Sequence, residues 1–560
     1  MRLTKRFLLT SLLVISLFMV PITAVVTLED NGSVAYADTH IERATLEKAG
    51  YTGVVSTTEG NPFPKNAGGS ELFRIPAMIT LADGTLFAAA DARYETLGDG
   101  GGLDTIVAMS HDKGKTWEQS YAIHYPDSER FADTKATTCI DPAVVQGNDG
   151  TIYVIADMNP TGVTTKHDYI NPNIGTGYMT IDGVERLALT DDYNMVNTNP
   201  KDKAYPYYLG DMVDGYARVM KTSDGTATQW ALDGWWNIYS VGADGTLEAL
   251  TQKQVDSTAN VQQNAYYKGS ALHVYNTGYM LMVSSKDGGK TWTPRVLNTE
   301  IKRDTEKALL VTPGKGIVAH DGTIIIPFYT FDRVGGKIVQ QASFIYSQDD
   351  GESWHRSVDA PNGNGIDWSS ESEIVEVNGG TLRMFIRNGT NKIAYIDAEW
   401  DESKSDYTWS APVVTDVKVW SNCNLTAVTL REKIDGKTAV MVACPSGKKR
   451  TNGMIYTFLL EDDNTMTPVY QYAVNKGDYA YSCMDELQDG TLGLLYEAKP
   501  GTMEYINVDV ATLTAAPYVE VEDNTALIVT LSVLGGVVVV AGIVTAVLLV
   551  LKKKRKSTID

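Results

Sequence analysis

Short apolar runs separated by tight polar turns make up most of this chain. Several of the turns read Asp-Gly-Thr followed by an apolar residue, for example those with Asp-Gly pairs at Asp83-Gly84, Asp149-Gly150, Asp244-Gly245 and Asp489-Gly490. Asp-Gly is a favoured pair in two-residue hairpin turns. Short apolar runs bounded by such turns predict many antiparallel strands, so the pattern indicates an all-β fold.

Both ends of the chain depart from this pattern. Residues 1–37 combine a basic start, a long apolar run and the small-residue site Ala35-Tyr36-Ala37, which predicts a secretory signal peptide. Residues 525–551 carry no charge and are long enough to cross a bilayer as a helix. The basic tail at 552–560 then predicts a cytoplasmic end. We expect a single-pass type I protein with its main part at the cell surface.

Charge and cysteine content limit the partners and the stabilising cross-links that this protein could have. The formal net charge is −21, and both terminal segments are positive, so the central part is still more acidic. Such a surface argues against nucleic acid as a partner. Four cysteines, Cys139, Cys423, Cys444 and Cys483, are too few for a disulfide framework in so long a chain. Buried free thiols and bridges both stay open, and no metal or cofactor motif is present.

The run Phe73-Arg74-Ile75-Pro76 places an arginine between two bulky apolar residues and just before a proline. Phe73 and Ile75 should point inward on a strand, and Pro76 should end its pairing. Arg74 would then project from a rigid strand end. A guanidinium in that position is suited to two-pronged binding of a carboxylate.

An octamer with the pattern S-x-D-x-G-x-[TS]-W occurs three times. Its aspartates are Asp112, Asp287 and Asp349. The pattern predicts a hairpin turn in which the aspartate caps backbone amides, the glycine takes positive φ and the tryptophan packs into the sheet. Residues 399–409 form a degenerate fourth copy.

These repeats resemble the Asp-boxes of sialidases (neuraminidases) of bacterial type, and F-R-I-P resembles the same family's signature. The resemblance implies a six-bladed β-propeller in which the Asp-boxes are structural. The copies are 175 and 62 residues apart, and the excess in the first interval predicts a small inserted β domain. The expected domains are propeller at 38–164, insertion at 165–268, propeller at 269–519, and a transmembrane helix at 525–551.

The resemblance extends to the site residues. It implies that Arg74, Arg387 and Arg450 bind a carboxylate. The neighbouring Lys448 and Lys449 are weaker alternatives to Arg450, because Arg-x-Asn-Gly is the piece that matches the family. Glu497 would orient Arg74.

The same resemblance implies that Arg93 and Asp141 contact the sugar near its 4-hydroxyl and N-acyl groups. Asp99 would be the acid/base, with Asp104 as its nearest rival. Three glycines follow Asp99, and they predict a more mobile loop. Tyr481 would be the nucleophile and Glu371 its partner.

Chemistry explains this set of residue types. Sialic acid carries a carboxylate on its anomeric carbon, which would repel a carboxylate nucleophile, so a phenol with a neighbouring base suits the reaction better. The surrounding arginines should favour the phenolate form of Tyr481.

We therefore expect an exo-α-sialidase that removes terminal sialic acid from glycoproteins, glycolipids and oligosaccharides with retention. Two alternatives stay open within the family, transfer to another sugar and formation of an anhydro product. An adhesin that binds sialic acid without chemistry is the alternative from another class. Asn388-Gly389-Thr390 is a glycosylation sequon, and a glycan there would crowd Arg387.

Overall fold

A computed structural model describes residues 48–50, 53–94, 96–128, 135–166, 169–254, 259–334 and 337–520. Strands dominate, and the two α-helices in these ranges are single turns, α1 (Asn298–Ile301) and α2 (Val510–Leu513). The prediction of an all-β, propeller-like fold is confirmed. The predicted signal peptide (1–37), transmembrane helix (525–551) and tail (552–560) lie outside the described residues. Within the described ranges, no helix has the length and apolar composition required to span a membrane.

The Asp-Gly-Thr turns explain where many strands end. At residues 83–85, the Asp83 carboxylate accepts a hydrogen bond from the Thr85 backbone N–H at 2.9 Å, and Gly84 has φ +89°. The glycine is required because that φ is costly for residues with a Cβ. A polar turn of this kind lets the apolar residues on either side pair in an antiparallel hairpin.

Seven strands precede the insertion. They are β1 (Ser56–Glu59), β2 (Leu72–Thr80), β3 (Leu86–Arg93), β4 (Leu103–Ser110), β5 (Thr116–Ile123), β6 (Thr138–Gln146) and β7 (Ile152–Asn159). Three later strands, which follow the insertion, complete the same ten-stranded sheet. They are β19 (Tyr279–Ser285), which pairs with β7, β20 (Thr293–Val296), which pairs with β19, and β22 (Gly314–Lys315), which pairs with β6.

The insertion contains eleven described strands, β8 to β18. They are Thr165–Lys166, Tyr169–Ile170, Tyr178–Ile181, Val184–Leu189, Tyr207–Val213, Tyr216–Lys221, Ala227–Asp233, Ile238–Val241, Leu247–Ala249, Thr251–Lys253 and Asn260–Gln262. Strands β10 to β16 form a seven-stranded meander, which shares a hydrophobic core with the propeller. The limits at 165 and 268 stay a prediction.

The remaining strands, β19 to β38, form the rest of the ring. They are Tyr279–Ser285, Thr293–Val296, Ala308–Val311, Gly314–Lys315, Ile317–Val318, Ile324–Val334, Lys337–Ser347, His355–Arg356, Ser372–Glu376, Leu382–Ile386, Lys392–Asp401, Asp406–Trp409, Val413–Lys418, Thr426–Thr429, Ala439–Pro445, Thr451–Leu460, Met466–Asp478, Ser482–Glu486, Leu492–Lys499 and Thr502–Val508. The innermost strands pack side by side, and β36 packs against β2. The last sheet therefore meets the first.

The number of separate sheets differs from the expected six blades. Among the described residues, four ring sheets stand alone, with five, five, four and three strands. The other ring strands belong to one ten-stranded sheet. Its two halves are joined where β4 pairs with β6 in parallel at Leu103 and Thr138. A single bridge between neighbouring blades leaves no pattern in the sequence, so the merger was not predictable.

The three Asp-box turns share one geometry. In the second, Asp287 accepts hydrogen bonds from the backbone N–H of Thr291 at 2.9 Å and from its hydroxyl at 2.6 Å. These bonds lower the pKa of Asp287 to about 2. The following tryptophan, Trp292, is buried. The carboxylate thus caps the turn while the indole anchors it to the core.

All four cysteines are buried and free. Of the two alternatives, the structure therefore contains buried free thiols and no disulfide bridge between these four cysteines.

Candidate active site

The predicted site residues come together from sheets that are distant in the sequence. They lie on or beside inner strands: Arg74 on β2, Arg93 at the end of β3, Asp141 on β6, Glu371 before β27, Arg387 after β28, Arg450 before β34, Tyr481 before β36 and Glu497 on β37. An ion pair of 3.1 Å between Arg74 and Glu497 links the first sheet to the last. The site therefore forms only when the ring is closed.

Hairpins place several of these residues opposite one another. The Arg387 N–H donates to the Glu371 carbonyl at 2.9 Å, which continues the β27–β28 ladder by one pair. The Glu497 N–H donates to the Tyr481 carbonyl at 2.9 Å and does the same for β36–β37. Each hairpin thus presents two functional side chains at the same strand ends.

Tyr481 and Glu371 form a short hydrogen bond. The Tyr481 hydroxyl donates to Glu371 Oε1 at 2.6 Å. Arg387 Nη1 donates both to Glu371 Oε2 at 2.5 Å and to the Tyr481 hydroxyl oxygen at 2.9 Å. Tyr481 is 5% exposed. A phenol that already donates to a carboxylate has its proton acceptor in place.

The pKa of Tyr481 is raised well above its usual range. Burial is the main cause and the Glu371 charge adds to it, while Arg387 and Arg450 act in the opposite direction. Arg387 and Arg450 do lower the pKa of Tyr481, as expected, but burial raises it by more. The net effect favours the phenol over the phenolate. The Tyr481 side chain is therefore a neutral phenol in the resting protein.

Three arginines surround Tyr481. The guanidinium carbons of Arg74 and Arg450 lie 5.6 and 5.0 Å from the centroid of its ring. Within the described part of the chain, no carboxylate forms an ion pair with Arg450, which leaves its charge available to an anionic ligand. Lys448 and Lys449 are exposed, so the geometry favours Arg450 over both alternatives.

Asp99 is held by two arginines. Its Oδ1 accepts from Arg74 Nη1 at 3.0 Å and from Arg93 Nη1 at 2.8 Å. Burial tends to raise the pKa of Asp99, but Arg93 and Arg74 outweigh burial and hold it below its usual value. The side chain is 44% exposed. The carboxyl therefore faces solvent in its ionised form when the site contains no substrate.

The alternative acid, Asp104, lies elsewhere. It is fully buried, accepts from the Tyr94 hydroxyl at 2.8 Å and the Tyr125 N–H at 3.0 Å, and contacts His124 at 2.7 Å. A carboxylate with these partners stabilises the loop that follows β5 and is not accessible to a glycosidic oxygen.

Two prolines follow residues with left-handed backbone. Ile75, before Pro76, and Asp141, before Pro142, both have φ +63°. Each lies in a β-bulge of an inner strand, and β2 continues to Thr80. The expectation that Pro76 ends the pairing is wrong. Pro76 lies within the bulge, where its lack of an N–H costs no ladder hydrogen bond, and pairing with β3 resumes at Ala77. At the first bulge the Ile75 N–H donates to Glu497 Oε1 at 2.9 Å.

A buried aspartate connects Arg93 to Asp141, and sequence analysis gave it no role. Asp91 Oδ2 accepts from Arg93 Nη2 at 2.6 Å, and Asp91 Oδ1 accepts from the Asp141 N–H at 3.0 Å. Burial raises the pKa of Asp91 to about 6, although Arg93 opposes the shift. Burial, with Asp91 next, also raises the pKa of Asp141. Asp91 thus fixes both neighbours in place.

Comparison with known proteins adds to this geometry. Residues 240–497 match the family model described as a BNR repeat-like domain. The chain is 28% identical over 490 residues to the "Anhydrosialidase" of Macrobdella decora, and the match covers 80% of this chain and 60% of that protein. It is 23% identical to "Sialidase B" of Streptococcus pneumoniae, with 79% and 65% covered. The chain thus spans less than two thirds of the length of these two relatives.

One similar protein of known structure is matched over nearly its whole length. The crystal structure of the intramolecular trans-sialidase from Ruminococcus gnavus, in complex with oseltamivir carboxylate, superposes with a TM-score of 0.68 at 25% identity. The match covers 83% of this chain and 98% of that one. The fold is that of the sialidases. Sialidases are glycoside hydrolases, so both sequence and structure relate this chain to that class of enzyme.

Two further side chains contribute to the site without any motif to reveal them. Asn422 Oδ1 accepts from Arg387 Nε at 3.1 Å and from Nη2 at 2.9 Å, which orients the guanidinium. Tyr329 is buried on β24, and after burial the charges of Glu371 and Asp141 are the main causes of its raised pKa. Asn422 lies in an irregular segment between β31 and β32, where sequence patterns say little.

The sequon does not lie where a glycan could attach. Asn388 is fully buried, and its side-chain amide donates to the Ile386 carbonyl at 2.8 Å. A glycan on this side chain would disrupt the fold, so the concern about crowding at Arg387 is removed for the folded protein.

The arrangement combines an anion-binding face with a proton-transfer pair. Three guanidinium groups can bind a carboxylate, and the Tyr481–Glu371 pair can supply a nucleophile. Asp99 is bonded to Arg74, whose guanidinium lies over the Tyr481 ring. Among the described residues, no group of three or more histidine, cysteine, aspartate or glutamate side chains is arranged to hold a metal ion.

Proposed function

We propose that this protein is a retaining exo-α-sialidase that releases terminal sialic acid from glycoproteins, glycolipids and oligosaccharides. The observation that carries the proposal is the 2.6 Å hydrogen bond from the Tyr481 hydroxyl to Glu371, surrounded by three arginines. Simple packing tyrosines rarely combine burial, a carboxylate acceptor and several guanidinium neighbours.

Binding of the substrate would begin with its carboxylate. Arg74, Arg387 and Arg450 supply charge-assisted hydrogen bonds to that group. A bound carboxylate would compete with Asp99 for Arg74 and add a negative charge nearby. Both effects raise the pKa of Asp99, so substrate binding prepares the acid for its role.

In the first step, the Tyr481 oxygen forms a bond to the anomeric carbon, and the bond to the leaving oxygen breaks. Glu371 takes the phenolic proton, and Asp99 gives its proton to the leaving oxygen. In the second step, a water oxygen forms a bond to the same carbon and the bond from that carbon to the Tyr481 oxygen breaks. The water gives a proton to Asp99, and Glu371 returns its proton to the Tyr481 oxygen. Two inversions leave the anomeric configuration retained.

A second product has support from the comparisons. The relatives include an anhydrosialidase and intramolecular trans-sialidases, and one solved leech enzyme is described as complexed with 2,7-anhydro-Neu5Ac. In that outcome the sugar's own 7-hydroxyl replaces water in the second step. The first step, and every residue assigned to it, would be the same.

An adhesin that only binds sialic acid would need the arginines alone. It would have no use for a buried phenol that donates to a carboxylate or for an acid across the site. The presence of Tyr481, Glu371 and Asp99 together therefore favours an enzyme.

The test is to incubate the purified protein with 3′-sialyllactose and 6′-sialyllactose and follow the released sugar by proton NMR from the first minutes. Free α-sialic acid that appears before its β-anomer supports retaining hydrolysis. A 2,7-anhydro product supports the second candidate. Saturable binding without any product from either substrate would overturn the enzymatic proposal.

We also propose that the protein is exported and anchored at the cell surface. This rests on the sequence of residues 1–37 and 525–560 alone. Protease digestion of intact cells, with detection of the catalytic part in the medium, tests it.

A further inference from the structure

The loop that carries Asp99 is held by hydrogen bonds along its backbone. We call residues 96–102 the acid loop. Arg93 Nη1 donates to the carbonyls of Leu97 at 2.7 Å and Gly98 at 3.0 Å. The Thr138 hydroxyl donates to the Gly101 carbonyl at 2.6 Å. The three glycines after Asp99 predict a mobile loop, but its carbonyls on both sides of Asp99 have fixed donors.

Asp99 itself is contacted from the segment that leads into the insertion. The Thr164 hydroxyl donates to the Asp99 carbonyl at 3.4 Å. Thr164 is 2% exposed and lies immediately before β8, the first strand of the insertion. The other backbone contacts to this loop come from the strands of the first sheet. Thr164 is thus the point where the segment leading into the insertion contacts Asp99.

The position of Thr164 is fixed by its own neighbours. Its N–H donates to Asn171 Oδ1 at 2.7 Å, and its carbonyl accepts from the Asn171 N–H at 3.1 Å. Asn171 Nδ2 also donates to the Gly162 carbonyl at 3.0 Å. Ile170, next to Asn171, packs against the cluster that contains Tyr329. The hydroxyl is therefore presented from a braced segment rather than from a loose loop.

Gly100 allows the loop to approach Thr164 closely. A Cβ on Gly100 would lie 2.9 Å from Thr164 Oγ1, a distance that real Cβ atoms do not reach. Any side chain at this position would push Asp99 and Thr164 apart. The glycine is therefore required by the close contact between the two segments.

We propose that Thr164 and Gly100 form a clasp through which the segment leading into the insertion positions Asp99 for proton transfer to the leaving group. This rests on the proposed function. Thr164 is a positioning residue, because it acts on the Asp99 backbone and touches neither the sugar nor the reacting atoms. Displacement of a general acid by a fraction of an ångström removes much of its contribution.

Leaving-group chemistry separates this role from a structural one. Lactose is a poor leaving group and needs the Asp99 proton, whereas 4-nitrophenolate leaves without one. The parameter to compare is kcat/KM, since it reports only the steps up to the first bond cleavage. Loss of acid positioning should therefore lower kcat/KM for 3′-sialyllactose and leave that for 4-nitrophenyl α-sialoside nearly unchanged.

The experiment measures kcat/KM for both substrates in the wild type, Asp99→Asn, Thr164→Val, Thr164→Ser and Gly100→Ala. We expect Thr164→Val and Gly100→Ala to lose about tenfold on sialyllactose and less than twofold on the aryl sialoside. Thr164→Ser keeps the hydroxyl and should restore most of the activity. Asp99→Asn removes the acid itself. It therefore gives the upper limit for a loss of kcat/KM on sialyllactose that does not extend to the aryl sialoside.

Thr161→Val is the matched control. Thr161 is also buried at the start of the same segment, but its hydroxyl contacts the Tyr266 carbonyl at 3.4 Å rather than the acid loop. It should change thermal stability without changing the ratio of the two kcat/KM values. If Thr164→Val lowers kcat/KM for both substrates by the same factor, or lowers it for neither, the clasp is refuted. A wild type that cleaves neither substrate would refute the proposed function instead.

Discussion

The two halves of the candidate site are built differently. The nucleophile half, Tyr481, Glu371 and Arg387, is buried, lies at strand ends and is connected by hydrogen bonds of 2.5 to 2.9 Å. The acid half, Asp99 with Arg93 and Arg74, has its carboxyl on a loop with 44% of the side chain exposed. Sheet hairpins position the first half, and side-chain donors from three segments position the second.

Charge differs between the halves as well. Burial keeps the pKa of Tyr481 high, so its proton stays until attack. Two arginines outweigh burial and hold the pKa of Asp99 low, so the acid lacks its proton before substrate binds. The nucleophile half is ready at rest, whereas the acid half depends on the substrate carboxylate to change its charge state. The comparison predicts that the two halves respond differently to mutation and to pH.

The largest expected effect comes from Tyr481→Phe. Loss of the hydroxyl removes the nucleophile and should lower kcat on 3′-sialyllactose by about a thousandfold or more. Binding should persist because the arginines are unchanged, and saturation-transfer NMR with the same sugar measures it. Turnover close to the wild-type value would show that Tyr481 is not the nucleophile.

Arg450→Ala should come next. This guanidinium has no carboxylate partner among the described residues, so its charge is free to bind substrate. Its loss should raise KM by about ten- to hundredfold, with a smaller change in kcat. Lys449→Ala is the matched control, since Lys449 is exposed beside it and should leave KM within twofold. Equal effects from both variants would show that general charge, and not Arg450, attracts the substrate.

Sequence was a good guide where a hairpin brings distant residues together. The motifs around Glu371 and Arg387 lie on consecutive strands, and antiparallel pairing places them opposite each other. The same holds for Tyr481 and Glu497. The family resemblance carried by these motifs therefore predicted which residues meet, and antiparallel pairing is the physical reason that they do.

Sequence was a poor guide where contacts join different sheets. Asn422 orients Arg387 from a segment with no motif, and Thr164 reaches Asp99 from the segment that leads into the insertion. The bulge at Ile75 kept β2 intact past Pro76. Such contacts depend on how blades and loops pack, and no local spacing encodes that packing.

The acid half should set the pH dependence. Protonated Asp99 is the required form, and its pKa in the free protein lies below the usual value. Because kcat/KM reports the free protein, its value for sialyllactose should fall by up to about tenfold per unit as pH rises through that lowered pKa, and therefore over the whole range above about pH 4. The aryl sialoside, which needs no acid, should show a flatter profile. A rise in kcat/KM for sialyllactose between pH 5 and 7 would contradict an acid role for Asp99.

The smallest effect tests how much the nucleophile half depends on residues outside its hairpins. Asn422 is exposed, and its amide oxygen accepts two hydrogen bonds from Arg387. Asn422→Ala should raise KM by about two- to fivefold, since the guanidinium loses its orientation and keeps its charge. Asn422→Asp should raise KM further, because the new carboxylate competes with the substrate for Arg387. Unchanged KM in both variants would show that Glu371 alone orients Arg387, and that the hairpin pair is sufficient for the nucleophile half.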